Sequence, residues 1–182
     1  MDELIDIWDA EGKPAGETKL KSEAHRLGLF HPTVHIWCYT LDGKVLLQKR
    51  GVQKRTFPLL WDVSVAGHVT AGEEIMDAAI RETAEEIGLK ISAPDLHAVG
   101  VFKSIQKHAE DFIDAEFHHV YLCELTVPLH SLQKQENEVE ALKLISLLRF
   151  AEETWGMANT QKYVPHSTGY YKKVIKEIKK KL

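Results

Sequence analysis

The alternation of apolar and polar residues along the chain predicts several short strands arranged around one early helix. Two β-rich runs at residues 34–40 and 45–48 flank an Asp-Gly pair, which is a strong hairpin signal. Further strands are predicted at residues 4–8, 61–66, 98–105, 116–125 and 139–146. Strands surrounding a helix in this order indicate a mixed α+β domain.

A helical period replaces the strand pattern between Glu73 and Ile87. Gly88 follows at the C-cap position, and Thr70 and Glu73 have the Thr-x-x-Glu spacing of a capping box. One side of this helix is suited to packing under a sheet, with an apolar stripe at Met76, Ile80, Thr83 and Ile87. The segment therefore predicts an amphipathic helix that covers one sheet face.

The chain reads as a single domain over residues 1–182. Its 182 residues suit one sizeable core, and no repeat or low-complexity linker divides them. Residues 1–31 are predicted to form an N-terminal arm, with a strand at 4–8 and a turn at 12–16. A short helix is predicted at 147–156, and Pro165 is predicted to open a last, Lys-rich amphipathic helix over 165–182, with membrane-surface or partner binding as the alternative role.

Composition narrows the classes of partner. The chain carries 27 acidic residues against 23 Lys and Arg, a formal charge of −4, so no nucleic-acid partner is expected. No run approaches a membrane span, and the first residues do not resemble a signal peptide, so we expect no membrane partner and a cytoplasmic location. Cys38 and Cys123 lie in apolar runs and are expected to be reduced core thiols, with a disulfide or nucleophile as the alternative.

Three carboxylates are crowded on one face of the predicted helix. Glu82, Glu85 and Glu86 fall within an arc of about 100° at helical spacing. Like charges placed so closely repel each other, but a hard cation such as Mg²⁺ takes carboxylate and phosphate oxygens as ligands. The three residues alone are compatible with either a metal site or a solvated acidic face.

The longer pattern around these carboxylates resembles the Nudix box, G-x5-E-x7-R-E-U-x-E-E-x-G-U, in which U is aliphatic. Thr83 departs from the pattern at the first aliphatic position. Eight of the nine fixed positions are met: Gly67, Glu73, Arg81, Glu82, Glu85, Glu86, Gly88 and Leu89. The resemblance implies the Nudix fold, an α/β/α sandwich with a mixed β-sheet, and metal-dependent hydrolysis of a diphosphate linkage in a small molecule.

The resemblance also implies roles for matching positions. The cofactor would be Mg²⁺, with Mn²⁺ as the alternative. Arg81 would hold a carboxylate of the box in place, and Glu73 would brace the loop. Glu82 would in addition orient or deprotonate water. The metal ligands would be the three helix carboxylates and the backbone carbonyl of the first glycine: Glu82, Glu85, Glu86 and Gly67.

Residues outside the box resemble the isopentenyl-diphosphate-isomerase-like branch of the Nudix proteins. The similarity runs from roughly residue 25 to residue 121 and includes His31, Phe57-Pro58 and Trp61. Isomerases of this branch have a catalytic Cys at the position of Ala66 and lack carboxylates matching Glu82 and Glu85. This chain therefore points to a hydrolase on an isomerase-like frame. An isomerase and a non-enzymatic Nudix-fold binding protein remain the alternatives.

Two further groups are implied by the same branch. Arg50 and Lys54 match diphosphate-contacting positions, and with Arg55 they form a basic loop that is either substrate-binding or merely solvated. Glu116 is expected to approach the Nudix metals, and Glu138 is a further acidic candidate. The residues that resemble a second metal site of the isomerases are His25, His31, His68, Asp114 and Glu116, with separate loop residues as the alternative.

These predictions leave the substrate open. Nucleoside diphosphate derivatives and isoprenyl diphosphates are both compatible with the pattern, because Nudix specificity comes from loops outside the box. The expected partner is a small-molecule diphosphate, and a homodimer is left open.

Overall fold

The computed structural model describes residues 2–155 and 161–182, and it confirms an α+β fold. The elements in chain order are β1 (Leu4–Trp8), β2 (Pro14–Leu20), α1 (Lys21–Leu27), β3 (His31–Thr40), β4 (Lys44–Arg50), β5 (Trp61–Asp62), β6 (Val65–His68), α2 (Ile75–Ile87), β7 (Leu96–Ala109), β8 (Phe112–Glu124), β9 (Val139–Ser146), α3 (Leu147–Thr154) and α4 (Thr168–Lys179).

A mixed seven-stranded sheet forms the centre of the domain. Its main path is β5-β4-β3-β8-β7, and β6 and β9 pair with β3 and β4. β3 and β8 run parallel, and the other pairs in the sheet are antiparallel. The long central strands β3 and β8 therefore bring residues from distant parts of the chain into register, including His31 opposite Glu116.

The helices cover both faces of this sheet. Ile36 and Trp37, adjacent on β3, are both fully buried but belong to different core clusters, because successive strand residues point to opposite faces. Ile36 packs with Ala79 of α2, whereas Trp37 packs with Phe150 of α3 and with Val174 of α4. The result is the expected α/β/α sandwich.

The predicted N-terminal arm and several boundaries are corrected by the structure. The expected turn at 12–16 ends within β2, whose side chains are almost all exposed and so show no apolar alternation. The predicted strand 61–66 divides into β5 and β6. The last helix begins at Thr168, capped by Ser167, and not at Pro165. The predicted helix 147–156 ends at Thr154, and Gly156 lies outside the described residues.

The start of α2 also differs from the prediction. Glu73 does accept a hydrogen bond from the backbone N–H of Thr70 at 3.0 Å, yet the helix begins two residues later at Ile75. Thr83 is fully buried, and its hydroxyl donates to the carbonyl of Ala79 at 2.7 Å. That bond satisfies the one polar group introduced at the aliphatic position of the box.

Two remaining expectations concern the cysteines and the membrane. Cys38 and Cys123 are both buried free thiols on β3 and β8. Among the helices of the described ranges, none combines the length and the apolar character that a membrane crossing requires.

Candidate active site

Gly67 of β6 lies directly against the carboxylate of Glu82 on α2. A Cβ added at Gly67 would overlap the Glu82 carboxyl group. Gly67 does not have a positive φ, so glycine is needed here for space and not for backbone conformation. The missing side chain lets the helix carboxylate lie directly against the strand.

Arg81 connects the helix to the loop that precedes it. Its Nε and Nη2 donate to the two carboxylate oxygens of Glu73 at 2.8 and 2.9 Å, and Nη2 also donates to the carbonyl of His68 at 3.0 Å. Its Nη1 donates to Glu82 at 2.8 Å and to Glu85 at 3.1 Å. One guanidinium thus fixes the loop and partly offsets the charge of two helix carboxylates.

The three helix carboxylates are not equally solvated, contrary to the picture of one shared acidic face. The side chain of Glu85 is 51% exposed and that of Glu82 is 13% exposed. Glu86 is buried and accepts hydrogen bonds from Gln48 Nε2 at 2.8 Å and from the backbone N–H of Ala66 at 3.1 Å. Glu82 and Glu86 are therefore held between helix and sheet, whereas Glu85 faces solvent.

Burial changes the acidity of two of these groups. It raises the pKa of Glu82, and Arg81 opposes that change. It raises the pKa of Glu86 to about 7, against the opposing effects of Lys54 and Gln48. A divalent cation would relieve both, because it supplies the positive charge that these buried carboxylates otherwise lack. The donor set therefore fits a bound cation.

A second cluster lies on the other side of β6. Ligand atoms of His25, His31, His68 and Glu116 all lie within 4.8 Å of one another. Glu116 Oε1 is 3.6 Å from the Nε2 atoms of both His31 and His68. The four residues come from α1, β3, β6 and β8, and the sheet register brings them together.

The hydrogen bonding of this cluster fits a cation as well. His31 Nδ1 donates to the carbonyl of Leu29 at 2.9 Å, which leaves its Nε2 on the side of Glu116 and free to act as a ligand atom. The Nε2 atoms of His25 and His68 are likewise buried without a partner among the described residues. Burial lowers the pKa of His25 to about 4, and it holds the pKa of His68 well below its usual value. Neutral imidazoles facing a carboxylate are the donors a metal requires.

Asp114 lies at the edge of this cluster and not among its closest members. Its Oδ1 is 3.7 Å from His25 Nε2, and its Oδ2 is bonded to His108 Nε2 at 2.8 Å. His108, which the sequence pattern did not single out, therefore orients Asp114. The five residues named from sequence do converge, with Asp114 as an outer member.

The three cations of the basic loop, Arg50, Lys54 and Arg55, differ in how firmly they are bound to the rest of the protein. The Arg50 guanidinium donates to Asp62, to the carbonyl of Thr56 and to its hydroxyl at 3.0–3.1 Å. Lys54 pairs with Glu138. The Arg55 guanidinium lies 3.9 Å above the ring of Phe112. Arg50 is thus engaged in holding the loop, whereas Lys54 and Arg55 each have a single side-chain partner among the described residues.

A pocket of about 400 Å³ opens beside these groups. Its lining includes the basic loop, Gly67, Ala66 and Glu116. The helix carboxylates do not line it: Glu82 lies against Gly67, and Glu86 is bonded to the backbone N–H of Ala66. Other lining residues were not singled out from sequence, because their significance depends on strand pairing: His35, Asp62, His118 and His166. The sequence offered one signal for two of them. His35 lies four residues after His31 on β3, and His118 lies two residues after Glu116 on β8, so each shares a strand face with a residue that was singled out.

Comparisons with known proteins show which family and fold the chain resembles. The model of the NUDIX domain family matches residues 29–166. An uncharacterized Nudix hydrolase of Clostridium acetobutylicum is 32% identical over 97% of both chains. An isopentenyl-diphosphate Δ-isomerase of Serratia proteamaculans is 33% identical over 67% of this chain and 66% of its own. The crystal structure of a Deinococcus radiodurans protein matches 82% of this chain and 87% of its own, with a TM-score of 0.66 and 22% identity.

Proposed function

The chain belongs to the Nudix hydrolase family, and from that premise we propose that it uses divalent cations to hydrolyse the diphosphate linkage of a small molecule. The observation that carries this proposal is the placement of Glu82 against Gly67, with Arg81 bonded to Glu82 and with Glu86 anchored to the backbone N–H of Ala66. A hydrolase needs such a cluster, whereas a binding protein without catalysis does not.

In the proposal the box carboxylates have a shared role in metal binding, and Glu82 has an additional role as a base. The carboxylates of Glu82, Glu85 and Glu86 and the carbonyl of Gly67 would hold Mg²⁺ or Mn²⁺. Divalent cations, when bound there, would offset the charge on the non-bridging and leaving phosphate oxygens. Glu82 would orient the attacking water and accept its proton, since its carboxylate is buried and held by Arg81.

The cluster of His25, His31, His68 and Glu116 is proposed as a second metal site. Three imidazoles and a carboxylate favour a transition metal over Mg²⁺, because imidazole nitrogen is a softer ligand than oxygen. Lys54 is proposed to contact the substrate diphosphate, since it lines the pocket and its charge acts on Glu86.

Isomerisation is the rival reaction, and the pocket argues against it. Position 66 carries a methyl group where the resembling isomerases have a thiol. Both cysteines of the chain are buried and neither lines the pocket. Proton exchange with an alkene carbon therefore lacks the thiol group it requires.

The proposal is tested with a panel of nucleoside diphosphate derivatives, cofactor-like diphosphates and isoprenyl diphosphates. Each is incubated with Mg²⁺ or Mn²⁺, or with a chelator, and phosphate release is measured. We expect metal-dependent turnover of at least one compound, and no turnover of any compound would overturn the proposal. NMR of the isopentenyl diphosphate reaction should show no dimethylallyl isomer, and its appearance would support the isomerase instead.

A further inference from the structure

A second polar wall lines the pocket, and the diphosphate chemistry proposed above does not use it. It consists of the imidazoles of His35, His118 and His166. His35 and His118 are stacked with ring centroids 4.1 Å apart, and His166 meets His35 edge-on at 5.3 Å. We call these three residues the histidine wall.

Each ring of the histidine wall is anchored to the protein through one nitrogen only. His35 Nδ1 is bonded to the hydroxyl of Tyr170 at 2.7 Å, and His118 Nδ1 to the hydroxyl of Thr33 at 2.8 Å. His166 Nε2 is bonded to Asp62 at 2.9 Å. The second nitrogen of each ring has no hydrogen-bond partner within residues 2–155 and 161–182, and it is not among the nitrogens sealed from solvent.

The partner of His35 determines where its proton lies. Tyr170 accepts a hydrogen bond from Trp37 Nε1 at 2.9 Å, and an indole can only donate. The buried Tyr170 hydroxyl proton would be unpaired unless it is donated to His35 Nδ1, and unpaired buried donors are unfavourable. The proton of His35 is therefore on Nε2, which presents an N–H to the pocket.

The partner of His166 imposes the opposite polarity. Asp62 is buried, and although burial opposes it, the bond to His166 and the charge of Arg50 hold the pKa of Asp62 well below its usual range. The ionised carboxylate accepts from His166 Nε2, from the backbone N–H of Val63 at 2.8 Å and from Arg50 at 3.1 Å. An acceptor-only group requires a donor, so the tautomer of His166 with its proton on Nε2 matches Asp62, and that tautomer has a bare Nδ1 toward the pocket.

We propose that His35 Nε2–H and His166 Nδ1 are a donor–acceptor pair that binds hydroxyl groups on the organic part of the substrate. This inference rests on the proposed diphosphate hydrolysis and narrows its substrate class. A hydroxyl both accepts and donates, so one hydroxyl or two neighbouring ones satisfy both nitrogens. An isoprenyl chain does neither and would leave both unpaired. The pocket therefore selects a hydroxyl-bearing group, such as a ribosyl or hexosyl unit.

The test measures binding and not turnover, so that it stands apart from the hydrolysis assay. Calorimetry at pH 8 with Mg²⁺ compares three non-hydrolysable methylene-bridged analogues, those of ADP-ribose, UDP-glucose and isopentenyl diphosphate. We expect at least one of the two hydroxyl-bearing analogues to bind about 100-fold or more tightly than the isopentenyl analogue. Equal affinity for all three, or binding of none, would overturn the inference, whereas absence of turnover with the diphosphate panel would overturn the proposed hydrolysis.

Variants locate the preference at the histidine wall. His166→Phe is expected to weaken the hydroxyl-bearing analogue about 10-fold or more and to leave the isopentenyl analogue unchanged or tighter. Tyr170→Phe, which releases the proton of His35, should shift the preference in the same direction. Tyr163→Phe is the matched control, since it loses one hydrogen bond, to Glu153, and its ring packs against Phe150 and not against the histidine wall. Equal weakening of all analogues in His166→Phe and Tyr170→Phe would contradict the assignment.

Discussion

Gly67 and Glu82 are in direct contact, and the strand residue has no room for even one additional carbon atom. Gly67→Ala is therefore expected to displace the Glu82 carboxylate and to lower kcat by about 10²-fold or more, the scale of losing a charge-stabilising group. Gly169→Ala is the control, because its added Cβ meets nothing closer than 4.0 Å. Steady-state turnover checks both variants, and near-wild-type turnover of Gly67→Ala would show that the contact has no catalytic importance.

The pKa of Glu86 predicts a pH dependence of stability in the metal-free protein. Its folded pKa of about 7 exceeds the unfolded value of 4.5, because the carboxylate is buried. The native state therefore keeps the proton of Glu86 up to a higher pH than the unfolded state does. The resulting contribution to the free energy of unfolding is fully present below pH 4.5 and is lost as the pH rises through 7. Relative to Glu86→Gln, the wild type should lose about 3 kcal/mol of unfolding free energy between pH 4.5 and 8.

Urea unfolding of the two proteins at both pH values, with a chelator present, measures this difference. Mg²⁺ at pH 8 should restore the stability of the wild type more than that of Glu86→Gln. A difference between the two proteins that does not change with pH would mean that Glu86 is ionised in the native state throughout.

The basic loop predicts different consequences for two neighbouring cations. Arg50→Ala removes the guanidinium from the buried Asp62 carboxylate, which keeps its bonds to His166 and Val63, and we expect a loss of up to about 3 kcal/mol in unfolding free energy. Lys54→Ala should instead raise KM and weaken its salt dependence, with little effect on stability. Lys44→Ala, which removes an exposed lysine paired with Asp42, is the control. An unchanged KM for Lys54→Ala would assign Lys54 to a solvated loop.

The histidine cluster predicts bound metal that survives purification. Protein loaded with Mn²⁺ or Zn²⁺ and then dialysed should retain one equivalent, and His68→Asn should lose about 10-fold or more in affinity for it. His130→Asn, an exposed histidine, should behave as wild type. Elemental analysis of the dialysed proteins measures the retained metal. Equal metal content in the wild type and His68→Asn would show that the histidine cluster does not bind the metal.

The parts of the fold that sequence predicted are those with a strong local signal. The apolar stripe on α2, the Asp-Gly turn before β4 and the positions of the box carboxylates can each be predicted from residue spacing alone. β2 was missed because its exposed side chains carry no periodicity. The burial of Glu86 depends on Gln48 from another strand, and the histidine wall depends on β3 pairing with β8. Pairing of distant strands leaves no pattern in a single sequence.

Replacing the carboxylate of Glu82 and measuring turnover is the most direct test of the proposed hydrolysis. Turnover of a diphosphate identified by the panel is measured at saturating Mg²⁺ for the wild type, for Glu82→Gln and for Glu74→Gln, which makes the same change at an exposed position beside the start of α2. Removing the proton acceptor and metal ligand should lower kcat at least about 10²-fold in Glu82→Gln. Glu74→Gln should remain at the wild-type rate. Wild-type turnover by Glu82→Gln would contradict the assignment of this site.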